Sequence, residues 1–307
     1  MKLKYLFGAA LAFCALLPRS VAVAPPVPII LDTDIGGDID DAFALALALA
    51  SPEVDLRAVT TVSGDTHARA RIAAKMLQEA GRREIPVAAG EPGSKMDIPQ
   101  ASWAEGFSSP SLVSKNAVDL MKDEIDRGHG STVLVAIGPL TNVAALLKKY
   151  PDARSKIKRI VLMGGSIGRG YYPNSAATAE YNIAADASAA QSVFSSGVPI
   201  TMAPLDVTAR LQLEGENLQK VFLQSRRLGP ALGALYKLWG QPTPTLHDPM
   251  ALSLLIDPGL CAMKDLSVQI DEKGMTRAVE GKAPNARVAL QTDTARFIQF
   301  YVKRVAD

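Results

Sequence analysis

From residue 27 to residue 203, short β-branched runs alternate with Ala- and Leu-rich stretches of helical period, and that alternation restricts the chain to an α/β architecture. Strands buried on both faces read as continuous apolar runs, and segments 28–31, 56–62, 85–88, 132–137, 158–163 and 200–203 have that character. Helices are expected between them over 41–50, 67–80, 140–149 and 185–195. The repeated strand-helix-strand order predicts a three-layer, Rossmann-like sandwich with a mostly parallel central sheet. Beyond Leu211 the chain turns more helical, with strand candidates over 266–270 and 287–290 and a last helix from Thr292. No linker divides it, so one domain is expected over 23–307. Stretches 90–110 and 164–179 break the rhythm with glycine, proline and small polar residues, and loops of that length in a compact domain are often functional.

The 33 basic and 31 acidic residues leave a formal charge of +2, too little to recruit nucleic acid or an anionic membrane by a global field. Partners must therefore be argued from local sites. The start of the chain is different: Lys2 and Lys4 precede an apolar stretch over 5–17 that is short for a membrane span, and Ser20-Val21-Ala22 places small residues at a cleavage site before Val23. This reads as a signal peptide over 1–22, with a periplasmic or secreted product that has no membrane association after processing. Cleavage removes Cys14 and leaves Cys261 alone, so no intrachain disulfide is expected, and Cys261 reads as a small buried hydrophobe.

The chemistry concentrates in Ile29-Ile30-Leu31-Asp32-Thr33-Asp34-Ile35-Gly36-Gly37-Asp38-Ile39-Asp40-Asp41, where a buried strand ends, glycines turn the chain and an apolar helix begins. Ligands of open α/β sheets gather at the carboxyl ends of strands. Five carboxylates at one strand end would raise each other's pKa values steeply unless a cation intervened. Oxygen-only donors point to a hard divalent cation, calcium or magnesium, rather than zinc. The competing reading has Asp38, Asp40 and Asp41 capping the helix and complementing its dipole, although a cap needs only one carboxylate.

With these residues the sequence resembles the inosine-uridine nucleoside hydrolase family, whose hallmark is Asp-x-Asp, a glycine turn and Asp-Asp. The resemblance continues through Ile137-Gly138-Pro139-Leu140-Thr141-Asn142, Val161-Leu162-Met163-Gly164-Gly165, Glu180-Tyr181-Asn182-Ile183 with Asp186, and His247-Asp248. It implies hydrolysis of the N-glycosidic bond of ribonucleosides to free base and ribose, by a homodimer or homotetramer. It also implies a Ca²⁺ ion held by Asp34, Asp41, Asp248 and the Ile137 carbonyl, with Asp34 activating a metal-bound water. Asp40, Asn174, Glu180, Asn182 and Met163 would bind substrate, and His247 would protonate the leaving base, which departs poorly as an anion.

Two departures from the family pattern matter. The glycine turn is two residues longer than the commonest version, which leaves Asp38 either on the ribose or in solvent. The loop that closes over the base holds Ser102-Trp103-Ala104-Glu105-Gly106-Phe107 in place of a His-Gly pair. Trp103 could stack on a nucleobase, and because purine-preferring members of the family use aromatic stacking with an aspartate near the position of Asp65, the resemblance implies purine preference through Trp103 and Asp65. The alternative is that Trp103 packs inside its loop and Asp65 serves the turn Ser63-Gly64-Asp65. Trp239 and Tyr236 are further possible base contacts that helical packing explains equally well.

Two other classes compete. A haloacid-dehalogenase-like phosphatase also begins with Asp-x-Asp and uses Mg²⁺, but gives Glu180-Tyr181-Asn182 and His247-Asp248 no role. An exported nucleoside- or sugar-binding protein without turnover would not need the catalytic pair.

Overall fold

The structure, a computed structural model, describes Met1 and residues 25–306. The predicted signal peptide lies, apart from Met1, outside the described residues. Among the described residues no helix is long and apolar enough to cross a membrane.

Among the described residues ten strands form: β1 (Val27–Thr33), β2 (Val54–Thr61), β3 (Val87–Ala89), β4 (Val133–Ala136), β5 (Arg159–Met163), β6 (Ile200–Ala203), β7 (Cys261–Leu266), β8 (Val268–Ile270), β9 (Thr276–Ala278) and β10 (Ala286–Thr292). Eight of them make one sheet in the order β3-β2-β1-β4-β5-β6-β10-β7. Every neighbouring pair is parallel except β10 with β7 at the edge. β8 and β9 form a separate antiparallel hairpin.

The sheet is apolar on both faces, as its unbroken hydrophobic runs require. In β1, Ile29 and Leu31 join the core on one side, which includes helices Asp40–Ala50, Thr66–Glu79 and His247–Ile256, while Ile30 joins the core on the other, with Ala117–Arg127, Thr141–Lys149 and Ala187–Phe194. The same two-residue alternation divides Val133 and Val135 from Leu134 and Ala136 in β4. The result is a three-layer α/β sandwich.

The structure departs from the sequence reading in three places. The helix expected over 185–195 is two helices, Tyr181–Ala185 and Ala187–Phe194, separated at Asp186, whose non-helical backbone lets its side chain cap the second by accepting from Ala189 N. Helix Ala117–Arg127, capped by Asn116, was not anticipated because its exposed face is thickly charged. At the end of the chain, the expected strand over 266–270 straddles two strands, β7 and β8, and β10 is longer than the apolar run 287–290.

Strand order positions the site. β1 sends one crossover to β2 and lies on its other side against β4, so the chain diverges between β1 and β4, the crevice where open α/β sheets bind ligands.

Candidate active site

Asp34 leaves the carboxyl end of β1, and residues 34–39 turn the chain into helix Asp40–Ala50. The turn needs glycine at Gly36, whose φ is +108°. On the β4 side, a Cβ at Gly138 would come within 2.9 Å of an Asp34 carboxylate oxygen, so glycine there allows the Ile137 segment to close on Asp34. A second helix, His247–Ile256, packs on the first and brings His247 and Asp248 to the same place at its own N-terminus.

A cavity of about 300 Å³ opens above these strand ends, and its wall includes Asp34, Asp38, Asp40, Asp41, Arg69 and Asp248. Carboxylate oxygens of Asp40, Asp41 and Asp248 lie within 4.8 Å of one another, all three residues buried. Asp248 N–H donates to Asp40 Oδ2 at 3.3 Å, and the Thr33 hydroxyl donates to Asp41 Oδ1. Desolvation, then the charges of their neighbours, pushes the carboxyls of Asp40, Asp41 and Asp248 well above the usual range. Asp34 rises to about 6, chiefly through desolvation, which the charge of Arg69 opposes. Carboxylates this crowded and desolvated call for a compensating cation, and their all-oxygen chemistry fits a hard divalent ion.

The opposite wall comes from the segment after β5. Glu180 caps helix Tyr181–Ala185, accepting from Asn182 N at 2.9 Å and Ile183 N at 3.2 Å, and it also accepts Gly165 N at 2.8 Å. Burial nevertheless lifts its carboxyl to about 7. Asn182 Nδ2 donates to the Ile137 carbonyl at 3.0 Å and the Met163 carbonyl at 3.2 Å, tying the ends of β4 and β5 together. His247 pairs through Nδ1 with the Thr208 hydroxyl at 2.9 Å, and burial lowers its pKa to about 4.

Asp34, Asp40, Asp41, Ile137, Met163, Glu180, Asn182, His247 and Asp248 therefore share one cavity. Trp103, Asp65 and Asn174 do not line it, and each has a local explanation. Trp103 packs against the core with Lys75 Nζ 4.4 Å from its ring centroid. Asp65 caps helix Thr66–Glu79, accepting from Ala68 N at 2.9 Å. Asn174 sits exposed in the turn that Ser175 N closes onto the Tyr172 carbonyl, in the left-handed conformation that asparagine tolerates. Trp239 and Tyr236 pack against each other in their helix with rings tilted by 44°, and neither lines the cavity.

Asp32 is also absent from the cavity wall. It points into the sheet, where Thr60 and Asn142 donate to its Oδ1 at 2.7 and 2.8 Å.

Sequence reasoning missed Arg69, Met96 and Tyr171 in the wall, and gave Tyr181, quoted within the Glu180-Tyr181-Asn182-Ile183 segment, no role of its own. Tyr171 lies in the loop over 164–179 and Met96 in the loop over 90–110, both flagged by their length, although nothing local singled out those side chains. The Tyr171 ring meets His247 edge-on at 6.2 Å, and its hydroxyl accepts the Tyr181 N–H at 2.8 Å. Arg69 carried no signal, since arginine on a helix ordinarily reads as a solvated charge.

The family described as inosine-uridine preferring nucleoside hydrolase matches residues 29–299. The chain is 36% identical to a pyrimidine-specific ribonucleoside hydrolase RihA of Shewanella sp. strain ANA-3, over 91% of this chain and 96% of that one. Among solved structures it resembles a plant nucleoside hydrolase, PpNRh1, with a TM-score of 0.79 at 26% identity, covering 92% of this chain and 99% of that one. It also resembles a purine-preferring ribonucleoside hydrolase from Gardnerella vaginalis, with a TM-score of 0.77 at 28% identity, covering 91% and 98% of the two chains.

Proposed function

The chain belongs to the inosine-uridine preferring nucleoside hydrolase family and is a ribonucleoside hydrolase, and from that premise we propose that it works with a bound calcium ion, uses Asp34 as its base and prefers pyrimidine nucleosides. The observation that carries the reading is the meeting of Asp40, Asp41 and Asp248 within 4.8 Å, in a cavity that Asp34 also lines. Asp34, Asp41, Asp248 and the Ile137 carbonyl would hold the ion. Asp40, with one oxygen already taken by Asp248 N–H, would face the sugar. When bound, calcium would acidify water, fix the ribose hydroxyls and balance the carboxylate charge.

The chain's own residues supply the rest. Asp34 accepts the proton of the attacking water, placed for it because the ion that Asp34 would hold is the one that would acidify that water. Cleavage of the C–N bond leaves an oxocarbenium-like sugar, and Asp40, Glu180 and the Ile137 and Met163 carbonyl dipoles surround it with negative charge fixed in advance. Asn182 keeps those two carbonyls in place. With its pKa lowered to about 4, His247 is neutral near pH 7. In the tautomer whose Nδ1 accepts the Thr208 hydroxyl, Nε2–H would hydrogen-bond the departing base and stabilise its developing negative charge, while the proton that neutralises the base comes from solvent.

Pyrimidine preference is supported by the relative at 36% identity, named pyrimidine-specific. The two residues that suggested purines, Trp103 and Asp65, stand outside the cavity. One assay tests the reading: purified protein is incubated with uridine, cytidine, inosine and guanosine, before and after chelation, and free base and ribose are measured. Ribose should be released with higher kcat/KM from uridine and cytidine, chelation should stop release, and Ca²⁺ should restore it. Full turnover by metal-free protein would remove the ion from the mechanism, and faster cleavage of inosine would reverse the base preference. Asp34→Asn should lose at least about 10²-fold in kcat, as general-base removal typically does. Wild-type turnover by that variant would exclude Asp34 as the base.

A further inference from the structure

Arg69 is a fully buried guanidinium in the cavity wall, and among the described residues none of its hydrogen bonds reaches a carboxylate. Nε donates to the Ser63 carbonyl at 2.8 Å, Nη1 to the carbonyls of Asp34 and, at 3.0 Å, Ile35, and Nη2 to Met96 Sδ at 3.2 Å. Burying a guanidinium without a directly paired anion is expensive. Its placement therefore needs a reason, and the backbone around it gives one.

The turn over 34–38 presents five backbone carbonyls that no strand or helix ladder satisfies. Arg69 takes those of Asp34 and Ile35, and Gln100 takes the other three, through its backbone N–H to Gly36 at 3.3 Å and through Nε2 to Gly37 and Asp38 at 3.2 and 2.7 Å. Arg69 also holds Ser63, a non-glycine residue at φ +71°, and so joins the end of β1 to the loop after β2. Its planar fork is what spans the two loops. An ammonium concentrates its donors on one nitrogen and cannot reach both sides.

We propose that Arg69 is a positioning residue for hydrolysis, clamping the Asp34 and Ile35 carbonyls to the Ser63 loop so that the Asp34 carboxylate is held at the cavity wall. The proposal rests on the role given to Asp34 above.

Its test compares Arg69→Lys, Arg69→Ala and Asp34→Asn with the wild type on uridine at saturating Ca²⁺, together with thermal unfolding of each. Arg69→Lys keeps the charge and loses the fork. Its kcat should fall at least about tenfold with KM within about threefold, the pattern of a misplaced reacting group rather than lost binding. Added guanidinium ion should restore part of the Arg69→Ala rate. A Lys variant with kcat within about threefold of wild type overturns the proposal, as does a rate loss that only follows melting or appears in KM alone. If Arg69→Ala does not fold, the kinetics of the Lys variant decide between these outcomes. An active Asp34→Asn would sink the underlying mechanism first, whereas an inactive Asp34→Asn beside an active Arg69→Lys sinks this proposal alone.

Discussion

The indole of Trp103 is anchored from two directions: Lys75 lies over its ring and donates to its carbonyl, and its body packs on the core beside helix Thr66–Glu79. Removing it should lower stability by about 2 kcal/mol, from lost apolar burial and the cation–π contact. The ratio of uridine to inosine turnover should stay within about twofold, since base discrimination requires a contact that differs between the bases. Tyr171→Ala should move that ratio, because its ring borders the cavity against His247. Urea unfolding and kcat/KM on both nucleosides check the pair, and a Trp103→Ala variant of wild-type stability and altered preference would contradict this packing. Single residues were legible where their chemistry was crowded. Five aspartates in ten positions demand an explanation, whereas an aromatic in a loop has the same sequence signature whether it stacks on a ligand or on a lysine.

At the scale of elements, helix starts account for much of what the sequence left ambiguous. Asp65 looked like a ligand contact beside a glycine, yet its carboxylate satisfies the Ala68 N–H at the opening of helix Thr66–Glu79. Asp65→Ala should cost about 1 kcal/mol, and Asp65→Asn, which can still cap, only a few tenths. Neither should change base preference. Chemical denaturation midpoints and the nucleoside panel would show this, and a large kinetic effect with unchanged stability would place Asp65 back among the substrate contacts. The parallel core was readable because both faces of each strand are buried and leave continuous apolar runs. β7 was harder, because at the sheet's edge its residues 262, 264 and 265 are exposed, 263 and 266 are half-buried, and no apolar run marks it. β8 and β9 have three residues each, too few for a period to register. Arg69 and Tyr171 were illegible for a related reason: tertiary folding alone brings them to the cavity of Asp34.

The whole molecule carries a charge problem that its stability should report. Asp32 and Glu180 are lifted to about 7 and Asp34 to about 6, while Asp40, Asp41 and Asp248 rise well above their ordinary value, in each case chiefly by desolvation. A carboxyl with a raised folded pKa retains in the native state a proton that the unfolded chain has released. Its contribution to stability is therefore fully present below about pH 4 and is lost as the pH climbs to the folded pKa, at about 1.4 kcal/mol per pH unit per group. Cation-free protein should accordingly melt at progressively lower temperature between pH 5 and pH 7.5. A divalent cation reverses the argument, because it binds the ionised cluster of the native state and has no such cluster in the unfolded chain, adding RT ln(1 + [L]/Kd). Calcium should raise the melting temperature little at pH 5, where protons occupy the carboxyls, and increasingly toward pH 7.5, where they do not. Scanning calorimetry in chelator and in millimolar Ca²⁺ across that range provides the measurement. Parallel melting curves at every pH, with calcium adding nothing, would mean that the carboxylates at the β1 turn are balanced within the protein and that no cation belongs among them.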